Sequence, residues 1–136
     1  MLIQYHVNGN VEFVSDSTPV AGRLVFLEGK LADKFEQVRS GGFSGYDDHD
    51  IQLTGTNGNF DLRATTTIEY TDVRVVVVNN PDTIRSLTFP ISVAGKSEIR
   101  KASVNEAGGC FSSDQSGGTY HAADLYTLFI STIFVP

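Results

Sequence analysis

Apolar and polar residues alternate along much of this chain with a period of two. His6-Val7-Asn8-Gly9-Asn10-Val11-Glu12-Phe13 alternates, Ser15-Asp16-Ser17-Thr18-Pro19 breaks the pattern, and Leu24-Val25-Phe26-Leu27 resumes it. Further on, Asn57-Gly58 supplies residues that tolerate positive φ, and Phe60 and Leu62 then alternate with Asn59 and Asp61. That is a tight turn feeding a half-buried strand. Val73-Arg74-Val75-Val76-Val77-Val78 is β-branched almost throughout, which suits a central strand contacted on both faces.

Extending the same reading predicts strands over residues 3–14, 23–28, 37–39, 51–54, 59–64, 72–79, 86–93, 99–104 and 123–135. Breakers separate them: Gly41-Gly42, Asn57-Gly58, Asn79-Asn80-Pro81-Asp82, Gly108-Gly109 and Gly117-Gly118. Short strands at this spacing imply one all-β domain over residues 1–136, a Greek-key β-sandwich of about seven to nine strands, with antiparallel pairing the default. Val7, Val11, Val25, Leu27, Phe60, Leu62, Val75, Val77 and Leu87 are the expected core. One short helix is conceivable over residues 65–70, although Thr65-Thr66-Thr67 forms helix poorly. Residues 106–120 read as a long loop.

The 136 residues suffice to bury a core, and the net charge of −6 comes without Lys/Arg clusters. Such a surface does not favour a phosphate backbone, so nucleic acid is not an expected partner. No apolar run reaches the ~18 residues of a membrane-spanning helix. No secretory leader is legible, since Met1-Leu2-Ile3-Gln4-Tyr5 runs straight into a strand pattern. The single cysteine, Cys110, excludes an internal disulfide. It is either an incidental thiol or the donor of an intermolecular disulfide or reactive thiol.

Candidate chemistry is sparse. Asp47-Asp48-His49-Asp50 is the densest polar cluster. Asp47, Asp48 and Asp50 have the oxygen ligands that a Ca²⁺ ion takes. The alternative is a solvated acidic loop, because adjacent residues point in different directions and no EF-hand spacing follows. His6 reads as a surface or edge residue. No nucleophile–base order has enough support to name a catalytic residue, and no other cofactor is implied. Thr54-Gly55-Thr56-Asn57-Gly58 lacks the ending of a phosphate loop. Tyr5, Tyr46, Tyr70, Tyr120 and Tyr126 with Phe43 are either a recognition face or packing.

Three blocks carry a family resemblance. Val7-Asn8-Gly9-Asn10-Val11 is the first, and residues 19–27, Pro-Val-Ala-Gly-Arg-Leu-Val-Phe-Leu, form the second. The third runs from Asp47-Asp48 through Thr54, Asn57-Gly58, Phe60 and Leu62 to Glu69-Tyr70-Thr71. In this order they resemble the transthyretin-like family best known from nematodes, within the broader carboxypeptidase-regulatory-like sandwiches. The resemblance covers most of the chain up to about Val93. It implies a secreted, extracellular, non-enzymatic binding or adaptor protein. Where the family carries cysteines, this chain has Phe13 and Asn79-Asn80, so that disulfide is not implied.

The C-terminal segment suggests how such a module acts. Residues 125–136 carry no charge and mix β-branched with aromatic residues. A strand that long, left on an edge, is a template for another chain. Ser131, Thr132, Ile133, Phe134 and Val135 are therefore the candidate interface, to another protein or to a second copy. The alternative function is a structural subunit that assembles by strand pairing into a fibre or coat.

Overall fold

A computed structural model describes residues 2–42, 46, 48–102 and 120–136. Its strands are β1 (Leu2–Phe13), β2 (Leu24–Leu31), β3 (Lys34–Gln37), β4 (Ile51–Leu53) and β5 (Asn59–Thr66). They continue as β6 (Asp72–Asn79), β7 (Asp82–Arg85), β8 (Phe89–Pro90), β9 (Gly95–Ala102) and β10 (Tyr120–Val135). The only helical element among the described residues is a 3₁₀ turn, Ile91–Val93. The chain is an all-β sandwich of two sheets. One sheet runs β5-β1-β10-β9; the other runs β3-β2-β6-β7, with β4 added to β2 and β8 to β6.

The period-two pattern becomes two faces. Along β1, Ile3, Tyr5, Val7 and Val11 point into the core, while His6, Asn8, Asn10 and Glu12 stay half-buried on the outer face. Val25 and Leu27 of β2, Phe60 and Leu62 of β5, and Val73, Val75 and Val77 of β6 close the same core. Eight of the nine expected core residues are thus buried. The ninth, Leu87, is 80% exposed. The β6–β7 ladder ends at Arg85, and Ser86 turns the chain: its Oγ accepts from Val75 N at 2.9 Å and donates to Leu87 O at 2.8 Å. Leu87 therefore follows the ladder rather than extending it, and only Phe89–Pro90 of the predicted 86–93 strand pairs.

Three other expectations change. No helix forms at residues 65–70: Thr65 and Thr66 complete β5, as three β-branched residues favour. His6 lies on a central strand rather than an edge, because β1 pairs with β5 on one side and β10 on the other. The pairing of β1 with β10 is parallel, unlike all the rest. Parallel neighbours need a long connection, and the whole second sheet intervenes between these two strands. Of the predicted loop over residues 106–120, Tyr120 is the first residue of β10, and the rest, Cys110 included, lies outside the described residues.

Two local devices position the sheets. The Asn57-Gly58 turn closes as expected: Gly58 has φ +74°, its N–H donates to Gly55 O at 2.8 Å, and its carbonyl accepts from Val11 N at 2.8 Å. Tyr5 ties the β5–β6 connection. Its hydroxyl accepts from Tyr70 N at 2.8 Å and donates to Ile68 O at 2.9 Å. The Tyr5 ring sits between Tyr70 (5.6 Å) and Tyr126 (6.0 Å, nearly parallel). Tyr5, Tyr70 and Tyr126 are thus packing residues rather than a recognition face.

Candidate binding edge

In the second sheet each long strand has its outer side shared by two short ones. β2 carries β4 along residues 24–26 and β3 along residues 28–31. β6 carries β7 along residues 76–79 and β8 along residues 72–73. β10 has the same geometry with one piece missing. Its flank opposite β1 carries β9 over residues 120–127, and no described strand pairs with residues 128–135. Successive residues of a strand aim their N–H and C=O groups to alternate sides. Half of those groups over this length therefore face a flank that is open among the described residues.

This is where the expected interface residues lie, though not as a tail. Ile133, Phe134 and Val135 pair with Val11, Glu12 and Phe13 of β1, and Val14 N donates to Val135 O at 2.9 Å. Ile133 and Val135 belong to the core. The segment does not extend beyond the last strand; it completes that strand, because its alternate residues fill the sandwich. Ser131 and Phe134 are exposed, and Thr132 Oγ1 donates to Asn10 Oδ1 at 3.2 Å. One bulge interrupts the pairing: Asn8 faces Phe129 and Asn10 faces Thr132, so Gly9 alone spans Ile130 and Ser131. A Cβ at position 9 would collide with the Ile130 carbonyl, so the bulge needs glycine there.

A groove of about 240 Å³ runs beside the open flank. Residues 130–134 form one wall, and Ile84, Arg85, Ser86, Leu87 and Phe89 form the other. Leu87, Phe129 and Phe134 are 80%, 73% and 50% exposed. Sequence reasoning missed Leu87 and Phe129 as parts of this surface. The absence of charge around Phe129 was the available signal.

The described carboxylates of the acidic cluster are hydrogen-bonded to neighbouring segments. The Asp48 carboxylate accepts from Gln4 Nε2 (3.1 Å), Thr65 Oγ1 (2.9 Å) and Thr65 N (3.1 Å). Asp50 accepts from Ser40 N at 2.8 Å. Each carboxylate thereby pins its loop to a separate backbone segment. Asp47 lies outside the described residues. Among the described residues no three His, Cys, Asp or Glu side chains converge on a point where an ion could sit.

The outer face of the β5-β1-β10-β9 sheet also holds a polar row. His6 Nε2 hydrogen-bonds the Asp61 carboxylate, whose second oxygen accepts from Arg63 Nη2 at 3.2 Å. Burial works against ionisation of Asp61, but the His6 hydrogen bond and charge, with Arg63, hold its pKa below the usual value. On the other sheet, Arg74 and Arg85 share the Glu28 carboxylate at 2.8 and 3.2 Å, and Arg74 stacks on Phe35 at 3.6 Å. Both sets cross-link neighbouring strands on sheet faces, away from any enclosed cavity.

No helix among the described residues is long and apolar enough to cross a membrane. No family model and no curated protein matches the sequence. Among solved structures the chain is similar to a 9R-lipoxygenase from Cyanothece PCC8801, with a TM-score of 0.48 and 10% identity over 98% of this chain and 16% of that one. It is also similar to 3-chlorocatechol 1,2-dioxygenase from Rhodococcus opacus 1CP, with a TM-score of 0.40 and 11% identity over 93% and 60% of the two chains. The chain spans less than two thirds of either neighbour, and likenesses this distant carry no function across.

Proposed function

We propose that this domain is a non-enzymatic binding or adaptor module that takes an extended protein segment onto the open flank of β10. The observation that carries the reading is the outer side of β10, where among the described residues only 120–127 carry a strand, with a groove of mixed apolar and polar lining beside the rest. An added strand would satisfy the outward backbone groups, and the groove would receive its alternate side chains. The transthyretin-like resemblance supports the same class of function and extends the proposal to an extracellular location, which fractionation of the producing cells tests.

An array of immobilised eight-residue peptides with alternating apolar and polar positions tests the binding. The unaltered chain should retain a subset of them. Phe134→Lys should lose that subset, because a charge on a strand edge opposes pairing. Position 134 is half exposed, so the variant keeps its melting transition. Equal retention by the variant, or no retained peptide from a chain that sediments as a monomer, would end this reading.

A second reading is a structural subunit of a fibre or coat, which the uncharged edge also favours. A filament requires a head-to-tail contact that does not close on itself. Electron microscopy and sedimentation at rising concentration separate the two: long polymers support the subunit, and small closed species support the module.

A further inference from the structure

The open flank of β10 reads the same in both directions. From 128 to 135 it is Leu-Phe-Ile-Ser-Thr-Ile-Phe-Val. Leu mirrors Val, Phe mirrors Phe, Ile mirrors Ile and Ser mirrors Thr. Burial is mirrored as well. Leu128, Ile130, Ile133 and Val135 are buried, while Phe129, Ser131 and Phe134 are exposed. Thr132 reaches Asn10 on the outer face.

A regular strand would not have this symmetry. Mirrored positions in an even-numbered segment have opposite parity, so they would point to opposite faces. The bulge opposite Gly9 shifts the parity by one residue halfway along. It thereby puts every mirrored pair on one face. Antiparallel strands require that of residues directly opposite each other.

We propose that the segment occupying this flank is the same segment of a second copy, antiparallel, about a twofold axis between Ser131 and Thr132. This rests on the reading of the flank as a binding edge and names its occupant. Phe129 then faces Phe134 of the partner subunit on the outer side, and Ile130 faces Ile133 of the partner subunit on the inner side. The contact is self-complementary and closes at two copies.

Charge and area agree with this occupant. The chain carries −6, yet residues 125–136 contain no charged side chain, so two copies meet at this edge without opposing like charges. Phe129 and Phe134, from their exposure, leave roughly 250 Å² of ring surface open per copy. The pair of copies thus brings at most about half of the ~1,000 Å² that a specific interface should clear.

Disulfide trapping tests the register, in a Cys110→Ser background so that the introduced thiols are alone. Phe129→Cys and Phe134→Cys copies, differently tagged and mixed under mild oxidation, should form the mixed disulfide. Either variant by itself should not, since like positions lie about 15 Å apart in this register and a disulfide spans Cα atoms no more than ~7 Å apart. Sedimentation of the unaltered chain should show a dimer, and Phe134→Lys should show a monomer. A monomeric unaltered chain overturns the proposal; if it still retains peptides on the array, the binding reading survives without it. A dimer whose mixed disulfide forms no faster than the self-pairs overturns the register and with it the twofold.

Discussion

Replacing Tyr5 by Phe removes one oxygen and nothing else, and the structure says what that oxygen holds. The Tyr5 ring is 1% exposed, so Phe keeps the packing against Tyr70 and Tyr126. Two hydrogen bonds are lost, one from Tyr70 N and one to Ile68 O. Tyr70 is buried, and its N–H is left without that acceptor. Two net hydrogen bonds at ~1 kcal/mol each, with a further ~1–2 kcal/mol for the stranded buried donor, give a loss of about 3–4 kcal/mol. Urea denaturation at neutral pH measures this, with an unchanged denaturant slope showing that the fold is the same. The hydroxyl also predicts a pH dependence. Burial, opposed by the Tyr70 hydrogen bond and assisted by Glu69 and Tyr126, pushes its pKa up to about 12. An unfolded tyrosine ionises near 10. Between these values the unfolded chain releases the proton first, so rising pH favours unfolding. The Tyr5 contribution is complete below about pH 10 and fades toward pH 12, at ~1.4 kcal/mol per unit. The stability gap between the unaltered chain and Tyr5→Phe should therefore narrow over that interval. A loss under ~1 kcal/mol at neutral pH, or a gap constant to pH 12, would refute this account of the hydroxyl.

Phe60→Ala should cost roughly 3–5 kcal/mol in the same assay, because the ring is 3% exposed between the sheets; a small loss would mean that the site collapses around the gap. Gly29→Ala should destabilise by ~1–3 kcal/mol or more, since a Cβ there lands on the Tyr70 ring, and a neutral result would show that ring free to move. Gly58→Val should cost clearly more than Gly22→Val on thermal melting. Both glycines have positive φ, but a Cβ at 58 also strikes the Val11 carbonyl, whereas nothing lies within 4 Å of one at 22.

The local rules of alternation and turn chemistry made the sandwich legible. Val7, Val11, Phe60 and Leu62 were placed inward because a period of two leaves each strand one apolar face. Gly58 was placed at positive φ because few other residues rest there. What those rules do not encode is partnership. Nothing in β1 or β10 taken alone states that they run parallel, since pairing direction is settled by the path of the intervening chain. Leu87 failed for a related reason: its apolar character continued a pattern that Ser86 had already ended by hydrogen-bonding back to Val75. The acidic residues are a third case: composition does not state which donors they meet, and Asp48 and Asp50 accept from Thr65 N and Ser40 N.

The C-terminal strand combines both kinds of information. Its length, absence of charge and apolar bias are local, and they make Ser131, Thr132, Ile133, Phe134 and Val135 a candidate interface from the sequence. Its place in the sheet is not local. Ile133 and Val135 bury themselves against β1, so truncating them removes core as well as edge. A shortened chain would therefore confuse loss of partner with loss of fold. The mirror relation of residues 128–135 was visible in the sequence, but by parity it implied mismatched faces. Only Gly9, too small to force Ile130 and Ser131 back into step, lets β10 bulge and turns the mirror into a same-face match. Gly9→Ala should accordingly act on the edge through β1. By driving a Cβ into the Ile130 carbonyl it would displace the bulge and weaken association through the flank. Phe134→Lys would weaken the same association while leaving β1 untouched. Sedimentation of the two variants beside their melting curves separates these routes. Gly9→Ala should lose both association and stability, and Phe134→Lys association alone. If Gly9→Ala keeps its association unchanged, the bulge is not what makes the flank self-complementary.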